Sequence, residues 1–226
     1  MNSISAFDSA DLLRALRRFD FPELARDPWW WPNSGTPEVV IGAMLTQQTQ
    51  WGQVEKALDR LREQGLLEFE ALARSRATEL AALIQGCAFH NTKADRLIQL
   101  SRNIVETFDD FERFQREATA DWLLRQAGIG PETADSILCY ACYQPVMVVD
   151  AYSQRLLKSL GQPFSSYRAL QQWFERGVAN HHKASGLALL YAEYHGRIVC
   201  YCKDRGRRGG MIDVGDLAEA FRDSEG

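Results

Sequence analysis

Leu124-Arg125-Gln126-Ala127-Gly128-Ile129-Gly130-Pro131-Glu132-Thr133-Ala134-Asp135 is the stretch on which the fold turns, and Asp150 follows fifteen residues later. Helical patterns flank the Gly128-x-Gly130 turn, and the lone Asp150 carboxylate stands just before another begins at Ala151. Glycine permits φ > 0 and carries no Cβ, so Gly128 and Gly130 would let backbone N–H groups meet another molecule at close range. Pro131 suits the first position of a helix, and the amides beside that helix N-terminus form a neutral socket for an anion such as a phosphate. A Gly-x-Gly turn joins many helix pairs, so its meaning comes from the rest of the chain.

Working outward, the pattern is helical nearly throughout. No proline occurs between Pro37 and Pro131, which leaves more than ninety residues free of that helix breaker. Leu12, Leu13 and Leu16 recur at helical spacing behind Asp8 or Ser9, either of which suits an N-cap. Leu97, Ile98, Ile104 and Val105 form a second stripe, Leu170, Trp173, Phe174 and Val178 a third, and Leu187, Leu190, Tyr191, Tyr194 and Ile198 a fourth. Val146 to Val149 is β-prone but too short for a sheet. The expectation is an all-α protein. Loop-rich places at Pro28–Pro37 and Tyr143–Pro145 set lobe boundaries, giving one lobe of residues 36–145 and a second of 1–35 with 146–226.

The 226 residues can bury a sizeable core, and 46% hydrophobic with 25% charged residues is ordinary for a globular chain. Without an apolar run of about 18 residues or a basic-then-apolar N-terminus, neither a membrane span nor a signal peptide is expected. Five cysteines, an odd number without scaffold spacing, point to a reducing cytoplasm. A net charge of −4 argues against a nonspecific coat on nucleic acid. Lys203, Arg205, Arg207 and Arg208 nonetheless gather near the C-terminus, as a solvated tail or a local basic patch.

Gly128 through Asp150 resembles the helix-hairpin-helix of the endonuclease III-like DNA glycosylase superfamily. Trp29-Trp30-Trp31-Pro32-Asn33, Leu45-Thr46-Gln47-Gln48-Thr49, Leu138 to Cys142 and His195 to Val199 extend the resemblance along nearly the whole chain. Together they are similar to the bacterial 3-methyladenine DNA glycosylases of the endonuclease III type. The resemblance implies two helical lobes with the active site in the cleft between them. It also implies that the hairpin (Gly128, Gly130, Thr133) grips the backbone of double-stranded DNA and that Asp150 does the chemistry. A helix N-cap is the plainer reading of that aspartate.

Relatives that also cut the backbone carry a lysine two residues after the second glycine, where an amine forms a Schiff base with the sugar. This chain has Glu132, so the resemblance implies hydrolysis by water and no lyase step. Relatives that remove mismatched adenine carry a catalytic glutamate where this chain aligns Ala43. Gln47 and Gln48 stand where the family fills the gap left by an extruded nucleotide. A ring-alkylated purine already carries positive charge and leaves without a general acid. Its recognition favours aromatic faces, at roughly 0.5–2 kcal/mol each; Trp29, Trp30 and Trp51 are the candidates, with Lys203 a further pocket residue. Three consecutive tryptophans cannot all enter one core, so one or two pack and at least one faces a cleft, an interface or water.

Many relatives end in a C-x6-C-x2-C-x5-C cluster loop. Counted from Cys200, those positions hold Arg207, Gly210 and Asp216, so no iron–sulphur cluster and no other metal is expected. His181 and His182 read as solvated and His195 as a structural histidine; Lys93 and Arg96 meet phosphates or merely lie at the surface. The implied function is a monofunctional DNA N-glycosylase of alkylated purines, chiefly 3-methyladenine, acting as a monomer. The alternatives are a uracil or thymine mismatch glycosylase, a noncatalytic binder of DNA structure, and a metal or redox role for Cys139, Cys142, Cys200 and Cys202.

Overall fold

The computed structural model describes residues 7–179, 186–207 and 209–222, so His181, His182 and Arg208 lie outside the described residues. The first helices are α1 (Ser9–Leu16), α2 (Pro37–Thr46), α3 (Trp51–Glu63), α4 (Phe69–Ala73) and α5 (Ala77–Leu83). The middle of the chain forms α6 (His90–Phe108), α7 (Phe111–Glu117), α8 (Ala120–Leu124) and α9 (Pro131–Ser136). The last are α10 (Ala151–Ser159), α11 (Tyr167–Ala179), α12 (Leu187–Arg205) and α13 (Gly215–Arg222). No strand occurs among the described residues, only an isolated antiparallel bridge between Gly206 and Ile212. The fold is all-α. The β-prone Val146–Val149 run stays a single extended segment, with Met147, Val148 and Val149 buried.

The chain divides into two compact units, Met1–Trp31 with Pro145–Gly226, and Pro32–Gln144. In the second unit α2 is buried all round from Glu38 to Leu45. Each fully buried Val, Ile or Leu there contributes about 1.5–3 kcal/mol of apolar transfer. Glu38 is tolerated inside because Asn33 and Arg62 donate to its two oxygens, at 2.7 and 2.8 Å. Phe69, Phe108, Phe111, Phe114 and Trp122 form an aromatic cluster with centroids 4.9–6.1 Å apart. After α9 the helix widens into a π turn, Ile137–Ala141, closed by a bond from Cys142 N–H to Ile137 O at 3.1 Å.

The first unit joins both ends of the chain. Leu12, Leu16, Phe174, Tyr194, Ile198, Tyr201 and Leu217 meet in its core. Asp8, not Ser9, caps α1: its carboxylate accepts from Ala10 and Asp11, and Asp11 returns a bond to the Asp8 N–H. Ser9 is instead the close contact with α11, donating to Phe174 O at 2.6 Å, and a Cβ on Gly177 would come within 2.3 Å of its hydroxyl.

Candidate functional site

The glycine turn lies between α8 and α9, and its two glycines differ. Gly128 has φ 82 and uses the left-handed freedom that glycine permits, whereas Gly130 has φ −98 and does not. A Cβ on Gly128 would also lie 2.6 Å from Arg96 Cδ, while one on Gly130 would meet nothing within 4 Å. Gly128 is therefore required by the chain itself. Nothing among the described residues crowds Gly130, and its open space suits close approach by another molecule. No side chain caps α9, and its first residue is Pro131.

Gln47 and Gln48 do different things. The Gln47 amide donates to Gly128 O at 2.9 Å and Thr133 Oγ1 at 3.0 Å, tying the end of α2 to the hairpin. Thr133 is buried and its hydroxyl points inward to that strut, so only its backbone is left to face outward. Gln48 is exposed and takes a left-handed φ of 53. It is the one of the pair presented to solvent.

Lys93 holds this loop from beneath. It is only 2% exposed, and its ammonium donates to Leu45 O at 2.7 Å, Gln47 O at 2.6 Å and Thr49 Oγ1 at 2.9 Å. Burial pushes its pKa below the usual lysine value, with Cys87 opposing that shift. The reading of Lys93 as a surface or phosphate-meeting residue is corrected, because all three donor directions of the amine are spent inside. Thr49 Oγ1 in turn accepts from Ala88 N–H at 3.1 Å. That bond places Phe89 beside the same loop, with φ 55 and 65% exposure. No periodic pattern marks it in the sequence.

Asp150 caps α10, and it belongs to the other unit. Its Oδ1 accepts from the Ser153 N–H at 2.8 Å and the Ser153 hydroxyl at 3.0 Å. Its Oδ2 faces His195 Nε2 at 3.5 Å. Burial raises the carboxyl pKa, but His195 and the Ser153 bonds outweigh it, and the net value lies below the ordinary aspartate value. Asp150 is thus held as a carboxylate. The sequence reading makes His195 only structural, since nothing in spacing marks its contact with Asp150, 45 residues away along the chain.

Trp31 is buried, while Trp29 and Trp30 are half-buried. Trp30 has φ 64, lies edge-on to His195 with centroids 5.2 Å apart, and sits against Gly196 and Leu24. Trp30 is therefore brought to Asp150 through His195. Trp51 opens α3 in the other unit and is half-buried. Lys203 is exposed on the last turn of α12.

The residues after Cys200 do not fit an iron–sulphur cluster. Asp216 is bound by the Tyr201 hydroxyl and by Arg205 Nε, and Arg205 also lies over the Phe19 and Tyr201 rings at 4.9 and 4.6 Å. Arg207 pairs with Asp213. Arg205 and Arg207 are thus paired within the chain, while Lys203 is exposed and Arg208 lies outside the described residues. Desolvation raises the thiol pKa of Cys139, Cys142, Cys200 and Cys202, to about 12 for Cys142 and Cys202, so they stay protonated. Among the described residues no three His, Cys, Asp or Glu side chains are grouped to hold a metal ion. No helix among them is long and apolar enough to cross a membrane.

Comparison with known proteins agrees with this geometry. Residues 41–179 match the model of the HhH-GPD superfamily of base excision DNA repair proteins. A Methanocaldococcus jannaschii protein named as a DNA repair glycosylase is 35% identical over 81% of this chain and 84% of its own length. A crystal structure of the H. pylori 3-methyladenine DNA glycosylase bound to 1,N6-ethenoadenine superposes with TM-score 0.82 at 40% identity, over 89% of this chain and 100% of the other. An endonuclease III–DNA complex shares the fold at TM-score 0.68 and 17% identity, covering 97% of this chain and 99% of the other. The chain belongs to the HhH-GPD superfamily of base excision DNA repair proteins, as a DNA glycosylase of that type.

Proposed function

We propose that this DNA glycosylase is monofunctional and excises alkylated purines, chiefly 3-methyladenine, from double-stranded DNA, working as a monomer in the bacterial cytoplasm. The carrying observation is Asp150, a carboxylate kept ionised by Ser153 and His195 in a chain whose hairpin offers Glu132 instead of an amine. The 40% identity to the H. pylori enzyme supports the choice of substrate class.

A cationic purine leaves with the electrons of its bond to C1′, so the enzyme must stabilise a sugar cation rather than protonate a base. A carboxylate with a lowered pKa is a poor general base near neutral pH but keeps its full negative field. Asp150 therefore acts mainly through that field. The water oxygen adds to C1′, and its proton passes to Asp150 or to solvent. The Gly128–Gly130 turn and the backbone at Thr133 hold phosphate. Gln48 and Phe89, both exposed on left-handed backbone, enter the opened duplex, Gln48 as a hydrogen-bonding amide and Phe89 as an apolar wedge. Trp29, Trp30, Trp51 and Lys203 remain the proposed base-pocket residues, and no metal or cluster takes part.

The test is release of free bases from methylated duplex DNA, with strand cleavage and borohydride trapping scored separately and Asp150→Asn as control. Release of 3-methyladenine without strand breaks or a trapped adduct is expected. Release of uracil or thymine instead, or a trapped adduct, overturns the assignment.

A further inference from the structure

Two bonds from Ser153 hold Oδ1 of Asp150, so rotation about the Cβ–Cγ bond, which would carry both oxygens together, is opposed from that side alone unless a second group meets Oδ2. Oδ2 faces His195 Nε2 at 3.5 Å, and the side chains of His195 and Asp150 are only 5% and 14% exposed. The imidazole is itself held. Trp30 meets it edge-on at 81°, and Gly196, next along α12, lets the indole close in, since a Cβ there would stand 2.5 Å from Trp30 Cγ. Trp30 reaches this place with φ 64, a backbone state that non-glycine residues keep only where their surroundings enforce it.

We propose that His195 is a positioning residue for Asp150, aiming the second carboxylate oxygen through Nε2–H while Trp30 and Gly196 fix the imidazole. The inference rests on the reading of Asp150 as the group that stabilises the sugar cation. A ring N–H directed at that oxygen orients it. A carboxylate bonded at Oδ1 and faced at Oδ2 by the imidazole 3.5 Å away presents its field along one direction and needs little reorganisation when the cation forms. Trp30, besides its proposed place in the base pocket, then serves as a brace on the positioning residue.

His195→Leu and His195→Gln in the full chain test this, read by single-turnover base release, affinity for the same duplex, and 13C titration of the Asp150 carboxyl. His195→Leu is expected to slow release roughly 10- to 100-fold, the equivalent of one charge-assisted hydrogen bond, with duplex affinity unchanged. His195→Gln, whose amide can donate over a similar reach, is expected to restore most of the rate. The Asp150 titration should move up in His195→Leu and less in His195→Gln. Equal loss in both variants, or an unmoved titration, overturns the proposal. Should His195→Leu fail to fold, His195→Asn replaces it, keeping an amide too short to reach. If the unaltered protein releases no alkylated base, the functional reading fails while the titration still decides the role of His195.

Discussion

Replacing Lys93 by Met keeps the length of the side chain and removes the three bonds its ammonium makes to Leu45 O, Gln47 O and Thr49 Oγ1. Hydrogen bonds from charged donors contribute about 1.5–3 kcal/mol each, so three at the low end come to about 4.5 kcal/mol. Against that stands the cost of burying the ammonium, visible in its lowered pKa, together with the apolar gain of Met. A net loss of about 3 kcal/mol follows, which at a urea slope near 3 kcal/mol/M moves the unfolding midpoint down by about 1 M. The pH dependence has a definite sign. Because the folded-state pKa lies below the unfolded value of about 10.4, the unfolded chain binds more protons between the two, and wild-type stability rises with pH across that window. The stability gap between wild type and Lys93→Met should therefore widen from pH 7.5 to pH 10. Urea titrations at both values decide it. An unchanged midpoint, or a gap that narrows on the alkaline side, refutes the picture of a buried donor clamping the loop.

Other outcomes follow from the same geometry. Gly128→Ala should lose about 1–2 kcal/mol in thermal melts, because φ 82 is strained for alanine and Arg96 must move aside. Gly130→Ala should melt as wild type yet bind duplex DNA more weakly by anisotropy; normal binding would remove the hairpin's close approach from the account. Asp150→Asn keeps the helix cap but loses the carboxylate's pairing with His195, so its melting point at neutral pH should fall slightly. Its excision rate should fall about 1,000-fold, the value of one charge about 4 Å from the cation at an effective dielectric near 20. The carboxylate's lowered pKa means that its stabilisation is present above about pH 3.9 and fades as pH falls through the folded value, so Asp150→Asn should flatten the acid limb of stability. Phe89→Gly relieves a left-handed backbone and uncovers no core, so stability should not fall while affinity for damaged duplex does. A variant that binds and cuts as wild type would dismiss the wedge.

Short-range features were legible before any coordinates. The stripe Leu12, Leu13, Leu16, the proline-free middle and the glycine turn each follow from local sterics and helical periodicity, and they suffice for an all-α chain. Asp150 as a helix start was readable from its place before Ala151. The family could be named from motifs spread over the chain, because a turn glycine, a cap and a tryptophan run each carry their own local signature.

Tertiary packing decided the rest. Whether Gln47 or Gln48 faces outward depends on Gly128 and Thr133, more than eighty residues away, which take the Gln47 amide. Lys93 and Arg96 look alike in sequence, yet one is spent on the end of α2 and the other covers Gly128. His195 and Trp30 gather around Asp150 because α12 carries a glycine where the indole must come close. The sequence by itself determined helices, turns and caps, since those depend on neighbours within a few residues. Only the folded chain decided which polar side chains are spent inside and which remain to act, because burial and hydrogen-bond partners are set by residues far apart in sequence.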